Sequence, residues 1–182
     1  MQSPTETRHE DRLEASRLNL GCGQDQISDF HNVDISSDVQ PDEVVDLQQT
    51  PWPWPDDSFS HTLASHVLEH LDPVPWDEIC RVLAPGGTLV IVYPIGNTRF
   101  EDPTHQQFWN WNTAAAISGE RKHAHAHVSN LSLVTRDFGW NVTGRLWRAY
   151  TRYRLAVGGP GAWMGQVPGL FGEVTATYEY RP

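Results

Sequence analysis

The chain has 182 residues, a formal net charge of −10, 38% hydrophobic residues and eight tryptophans. That length suits one domain with a full core, and the negative charge opposes non-specific binding to phosphate backbones. No apolar run approaches the ~18 residues of a membrane helix, so no membrane span is expected. Residues 1–12 lack the apolar core of a signal peptide, so a cytoplasmic location is expected. They are read as a flexible tail, with 13–182 as a single domain. Cys22 and Cys80 fit neither a disulfide framework nor a zinc motif and are expected as buried thiols. The cations are twelve arginines and one lysine. Composition leaves the oligomeric state open.

Arg17-Leu-Asn-Leu-Gly-Cys-Gly23 reads as a short buried strand, Leu18 to Leu20, running into a glycine turn. Gly21 and Gly23 lack Cβ, so they permit positive φ and close approach of a ligand. Seven residues later His31-Asn-Val-Asp-Ile35 reads as a second strand. A helical crossover between parallel strands needs a dozen residues or more, so the helix expected here must shrink to a turn. Glu43 to Leu47 is a third strand and Pro51 to Asp57 a stiff loop. Ser58 to Ala64 is a fourth strand, His66 to Leu71 a short helix, and Pro75 to Leu83 a clearer one. Trp76, Ile79, Cys80 and Leu83 fall at i, i+3, i+4 and i+7. Ala84-Pro-Gly-Gly87 stops that helix, and Thr88 to Tyr93 is apolar enough for a central parallel strand.

Thr113 to Ser118 is expected as a short helix capped by Asn112, and Leu131 to Phe138 as another. Period-two alternation predicts a long strand over 147–157 and a second over 174–181, paired as an antiparallel hairpin. The connection 158–172 is rich in glycine and proline. Five strands with interposed helices and a terminal hairpin make an α/β sandwich with a largely parallel sheet.

Three features converge on the carboxyl edge of that sheet: the glycine turn after strand one, Asp34 ending strand two, and Asp46 ending strand three. An acid in the second position accepts ribose hydroxyls, and one further along accepts an adenine amino group. Each alone also reads as a turn or cap residue; together they favour an adenosine-containing ligand. A dinucleotide fingerprint fails because Gln26 stands at its third glycine, and no phosphate-loop Gly-Lys-Ser/Thr follows. Adenosine without phosphate fits better.

Here the chain resembles the class I S-adenosylmethionine-dependent methyltransferases, in particular the short ubiquinone/menaquinone-biosynthesis-type (methyltransferase type 11-like) subgroup. The matching residues are Leu18-Asn-Leu-Gly-Cys-Gly23, Asn32-Val-Asp-Ile35, Val45-Asp-Leu47, Pro53-Trp-Pro-Asp-Asp-Ser-Phe59, His66-Val-Leu-Glu-His-Leu71 and Glu78-Ile-Cys-Arg-Val-Leu-Ala-Pro-Gly-Gly87. Asp102-Pro-Thr-His105 also recurs in that group. The resemblance implies a Rossmann-like three-layer sandwich: a mostly parallel seven-stranded sheet with a C-terminal antiparallel hairpin. It implies S-adenosylmethionine as cofactor, its methionine part cradled by Leu20, Gly21, Cys22 and Gly23. Asp34 and Ile35 would hold the ribose side, Asp46 and Leu47 would bound the adenine, and Ser65 and His66 would face the sulfonium. Many members carry an acid where this chain has Asn19, which removes a partner for the methionine ammonium group.

Methyl transfer from a sulfonium needs mainly positioning, with a general base only if the acceptor must lose a proton. His105 is the first candidate, with Asp102 to orient it; the competing reading makes this segment a capped turn. Glu69 and His70 are read as structural. His123, His125 and His127 alternate, but nothing completes a zinc set, so no metal is expected. Arg148, Arg152 and Arg154 are expected to pair with Glu173, Glu179 or solvent. The cysteine and Asn-Pro-Pro-aromatic motifs of DNA methyltransferases are missing, so a small-molecule acceptor (metabolite, glycan or lipid) is expected rather than nucleic acid. The alternative is a non-catalytic cofactor-binding or assembly protein, for which Asn19 is the motive. A nicotinamide oxidoreductase is disfavoured by Gln26.

Overall fold

The computed structural model describes residues 16–121, 127–139 and 172–182. Seven strands form one sheet: β1 Arg17–Leu20, β2 His31–Asp34, β3 Glu43–Val44, β4 Phe59–Ser65, β5 Leu83–Pro94, β6 Leu131–Gly139 and β7 Glu173–Tyr180. Their order is β3-β2-β1-β4-β5-β7-β6. The pairs from β3 to β5 are parallel, and β7 runs antiparallel to both β5 and β6. The expected seven-stranded, mostly parallel α/β architecture with antiparallel C-terminal strands is therefore present.

Alternate residues explain the core. Leu18, Leu20, Val33, Ala64, Leu89, Ile91, Tyr93, Val174, Ala176 and Tyr178 are fully buried. Helix α1, Trp76–Val82, buries Ile79, Cys80 and Val82, as its periodicity requires. Helix α2, Thr113–Ile117, is tied to the sheet by two buried tyrosines. Tyr178 Oη donates to Ala114 O at 3.1 Å, and Tyr93 Oη to Asn110 O at 3.3 Å. Burial pushes both phenols well above their ordinary range.

Several expectations need correction. Leu131–Gly139 is a strand, not a helix, and it pairs with β7 from Leu131↔Tyr180 to Gly139↔Glu173. β5 occupies the other side of β7, so β7 pairs with 131–139 and 83–94 rather than with 147–157. Residues 147–157, 158–171, 1–15 and the His123/His125 pair lie outside the described residues. β3 is only two residues long, because the chain turns away at Asp46, whose carboxylate accepts Gln48 N–H at 2.9 Å. His66–Leu71 forms only a 3-10 turn, Leu68–His70. Ala84–Gly87 belongs to β5, with Gly86 at φ 76°. Asn112 sits at the N-terminus of α2 but makes no side-chain cap; its N–H instead donates to Asn110 Oδ1 at 2.8 Å.

The ten-residue connection from β1 to β2 is a series of turns, as its length demands. Buried Asn32 organises it. Its Oδ1 accepts Ile27 N–H at 2.9 Å and Asn19 Nδ2–H at 3.0 Å. Its own amide protons serve Ile27 O, Phe30 O and Asp42 Oδ2, each at 3.0 Å. The loop thus gets from side chains the hydrogen bonds a helix would have supplied internally.

Candidate functional site

Strand order reverses between β1 and β4, which is where open α/β sheets hold ligands. The carboxyl ends of these strands carry Gly21, at φ 61°, and Gly23, at φ 49°. A Cβ on Gly21 would come within 2.8 Å of Val67 Cβ, so packing as well as backbone demands glycine there. A Cβ on Gly23 would meet nothing within 4 Å: it borders open space. That space is a cavity of about 480 Å³ lined by Asn19, Gly21, Cys22, Gly23, the 24–27 loop, Leu63, Ser65 and His66.

Asp34 fixes this turn from the neighbouring strand. Gly23 N–H donates to its Oδ2 and Ser36 N–H to its Oδ1, both at 2.9 Å. Each oxygen keeps a second lone pair for a ligand hydroxyl. Ile35 beside it is 67% exposed, an apolar surface at the sheet edge. Burial, then the Asp34 charge, pushes the Cys22 thiol up, so Cys22 is not a thiolate. Cys80 is likewise buried and pushed up to about 11.

Of the residues singled out in the sequence, Gly21, Cys22, Gly23, Ser65 and His66 meet around one cavity, and Asp34 braces it. Leu20 is fully buried beneath it. Asp46 and Leu47 are not among the lining residues. Asp46 holds its own turn, and Leu47 lies in the core with its carbonyl accepting the Trp52 indole at 3.2 Å. Asn19 Nδ2 serves Asn32 and Asp25 O.

A second cleft, of about 510 Å³, adjoins the first through His66 and is lined by Pro94, Thr98, Glu101, Asp102, Pro103, His105, Gly172 and Glu173. His66 takes φ 53°, a conformation costly for a residue with a Cβ. Its Nε2 lies 2.9 Å from Glu173 Oε2 and its Nδ1 3.4 Å from Glu69 Oε1. The second contact is poorly formed as a hydrogen bond but close in Coulombic terms. Glu69 first, then Glu173, raise the His66 pKa above its ordinary value.

His105 and Asp102 share the second cleft but not a direct side-chain bond. His105 Nδ1 is 2.9 Å from Arg99 O, so that nitrogen carries the proton and Nε2 is bare. Asp102 Oδ1 accepts Thr104 N–H at 2.8 Å and the Thr104 hydroxyl at 2.6 Å. These bonds hold its carboxyl below the usual range. Thr104 Oγ1 in turn lies 2.9 Å from His70 Nδ1. Asp102 therefore orients His70, through Thr104, and a main-chain carbonyl orients His105. His70 and His105 pack edge to face, 4.7 Å between centroids. Glu173 lies 107 residues from His66 and carried no local signal. Asn32 stood inside a quoted motif, but its network is visible only once the loop is folded.

A glycine turn after β1, an acid on β2 and this strand order define the class I S-adenosylmethionine-dependent methyltransferase fold. Residues 18–91 match the family model of a methyltransferase domain. That domain and the fold support S-adenosylmethionine-dependent methyl transfer, with S-adenosylmethionine as the cofactor. No curated protein matches it. Similar solved structures include a chain of the complex between the Haloferax volcanii Trm112 methyltransferase activator and a methyltransferase. That chain is 14% identical, covers 97% of this chain and 92% of its own, and has a TM-score of 0.60. A methyltransferase from Bacillus halodurans C-125 is 16% identical over 92% of both chains, with a TM-score of 0.55. A SAM-dependent methyltransferase from Archaeoglobus fulgidus is 16% identical over 95% of this chain and 90% of that one, with a TM-score of 0.53. At these identities the likeness is one of fold. No helix among the described residues is long and apolar enough to cross a membrane.

Proposed function

We propose that this chain methylates an oxygen or nitrogen of a small molecule, glycan or lipid headgroup, acting in the cytoplasm as one domain over 13–182. The observation that carries this reading is His66, which lines both cavities. The cofactor occupies the first, over Gly21–Gly23, with Asp34 and Ile35 on the ribose side and Asp46 and Leu47 toward the adenine. Ser65 and His66 face the sulfonium, and the acceptor enters the second cleft. In-line displacement then needs only alignment, because the methyl group leaves an already positive sulfur. His105 offers its bare Nε2 to the acceptor's proton, and Asp102 acts at one remove. Asp25, on the first cavity, supplies the carboxylate for the methionine ammonium that Asn19 does not.

Calorimetry with S-adenosylmethionine and its demethylated product tests the reading, with Asp34→Ala as control. Micromolar binding lost in the variant is the expected result; no binding by the wild type would overturn the site. A methyl-acceptor screen follows. Turnover unchanged in His105→Ala, with cofactor binding intact, would remove His105 as the base.

A further inference from the structure

We propose that Glu69, His70 and His105 hold one divalent transition-metal ion at the edge of the acceptor cleft. One donor atom from each residue lies within 4.8 Å of the others. Three observations point the same way. Glu69 is 1% exposed, and among the described residues none gives either carboxylate oxygen a well-formed hydrogen bond. A buried carboxylate in that state costs several kcal/mol unless a cation compensates it. His66 Nδ1 lies 3.4 Å from Glu69 Oε1 and supplies part of that compensation, while its Nε2 is held at 2.9 Å by Glu173.

Both imidazoles, moreover, are prepared as ligands. A threonine hydroxyl has one proton, and Thr104 gives its proton to Asp102. Thr104 Oγ1 must therefore accept from His70 Nδ1–H, leaving His70 Nε2 bare. His105 Nδ1–H is likewise spent on Arg99 O. Metal-binding histidines characteristically donate their other N–H to a carboxylate relay or a main-chain carbonyl, and here each ring has one of these. Finally, the two segments are zipped together by backbone. Gln106 and Gln107 N–H donate to Glu69 O at 2.7 and 2.9 Å, which sets His105 against the Glu69–His70 turn.

Two nitrogens and one carboxylate suit Zn²⁺, Co²⁺ or Fe²⁺ rather than Mg²⁺ or Ca²⁺, and three protein ligands leave coordination positions open. His105 lines the acceptor cleft, so an acceptor heteroatom is placed to take one of them. The site goes beyond the functional reading above and reassigns one nitrogen in it: a ligating His105 cannot also take a proton at Nε2.

The test uses the full chain, tag-free and stripped with chelator, titrated with Co²⁺ and followed by d–d absorption and metal analysis after dialysis. One Co²⁺ per chain is expected, displaced by Zn²⁺. Glu69→Gln and His105→Ala should each weaken it by more than about 100-fold, and Thr104→Val, which supplies no ligand, by about 10- to 100-fold. Each variant should keep wild-type affinity for S-adenosylmethionine, and His123→Asn/His125→Asn should keep the metal. Absence of Co²⁺ binding, survival of binding in His105→Ala, or its loss in the His123/His125 pair would overturn the site. Absent Co²⁺ with normal cofactor affinity sinks the metal alone; normal Co²⁺ with no cofactor binding sinks the functional reading alone.

Discussion

Two glycines two residues apart do different jobs. Gly21 is required by packing as well as backbone: an added Cβ collides with Val67. Gly23 faces open space, so alanine there costs only the strain of positive φ, about 1 kcal/mol. Gly21→Ala should therefore lower the melting temperature markedly. Gly23→Ala should melt near the wild type yet bind S-adenosylmethionine at least about 10-fold more weakly, because its methyl group enters the cavity proposed for the cofactor. Calorimetry and thermal melts on both variants separate the two. At Asp25, replacement by Asn should weaken cofactor binding while leaving the melt unchanged, since its proposed role is to meet the ammonium. The glycines and Asp34 were legible in the sequence because residue type alone dictates what they can do there. Asn32 was not, because five side-chain hydrogen bonds to four residues gathered from Asn19 to Asp42 define its role. Asn32→Leu should destabilise the chain by about 3 kcal/mol, by leaving buried partners unpaired; denaturant unfolding measures it.

Among the elements, helix α1 carries the loop 51–57 through Arg81, which pairs with both Glu78 and Asp56. Glu78 accepts Arg81 Nε–H at 2.9 Å, Arg81 Nη2–H at 2.7 Å and Trp52 N–H at 2.6 Å. Arg81 Nη1 donates to Trp54 O and to Asp56, and Nη2 to Trp52 O. The Arg81 hydrogen bonds hold the Glu78 carboxyl below its ordinary 4.5. A depressed carboxylate stabilises the fold above its unfolded pKa and loses that contribution as pH falls through the folded value. Glu78→Gln should thus lower the melting temperature at pH 7, and the gap to wild type should close progressively below pH 4.5. A gap that is constant with pH would contradict this. The helix itself was legible from its period. The adjacent Leu131–Gly139 was not: its apolar residues at 131, 133, 134 and 138 suit a helix as well as a strand. The exposed Val134 is unremarkable in a strand with one open face, and the unpaired edge of β7 decides the matter.

For the whole molecule, the consequence of a single sheet is cooperative unfolding. Denaturant curves followed by circular dichroism and by tryptophan fluorescence should coincide over 13–182. A cofactor that binds only the folded state should add about 2.7 kcal/mol at 100 times its Kd. For a chain of this size that moves the melting temperature by several degrees. Asp34→Ala should abolish the shift while keeping the single transition.

Local pattern pointed to an adenosine-containing ligand without phosphate, and the resemblance carried by the motifs supplied the methyltransferase class. A glycine turn, an acid at a strand end and apolar runs of strand length are properties of contiguous residues, so they read directly. The residues of the second cleft were brought together only by tertiary structure. Glu69 and His70 looked structural because their neighbours in sequence offer them no task. The fold brings in His105 from 35 residues beyond His70 and Glu173 from 107 beyond His66, and it buries Glu69 with only the long His66 contact among the described residues. A search for alternating histidines stops at 123–127 for the same reason. Ligand sets are assembled by distance in space, and a sequence records only distance along the chain.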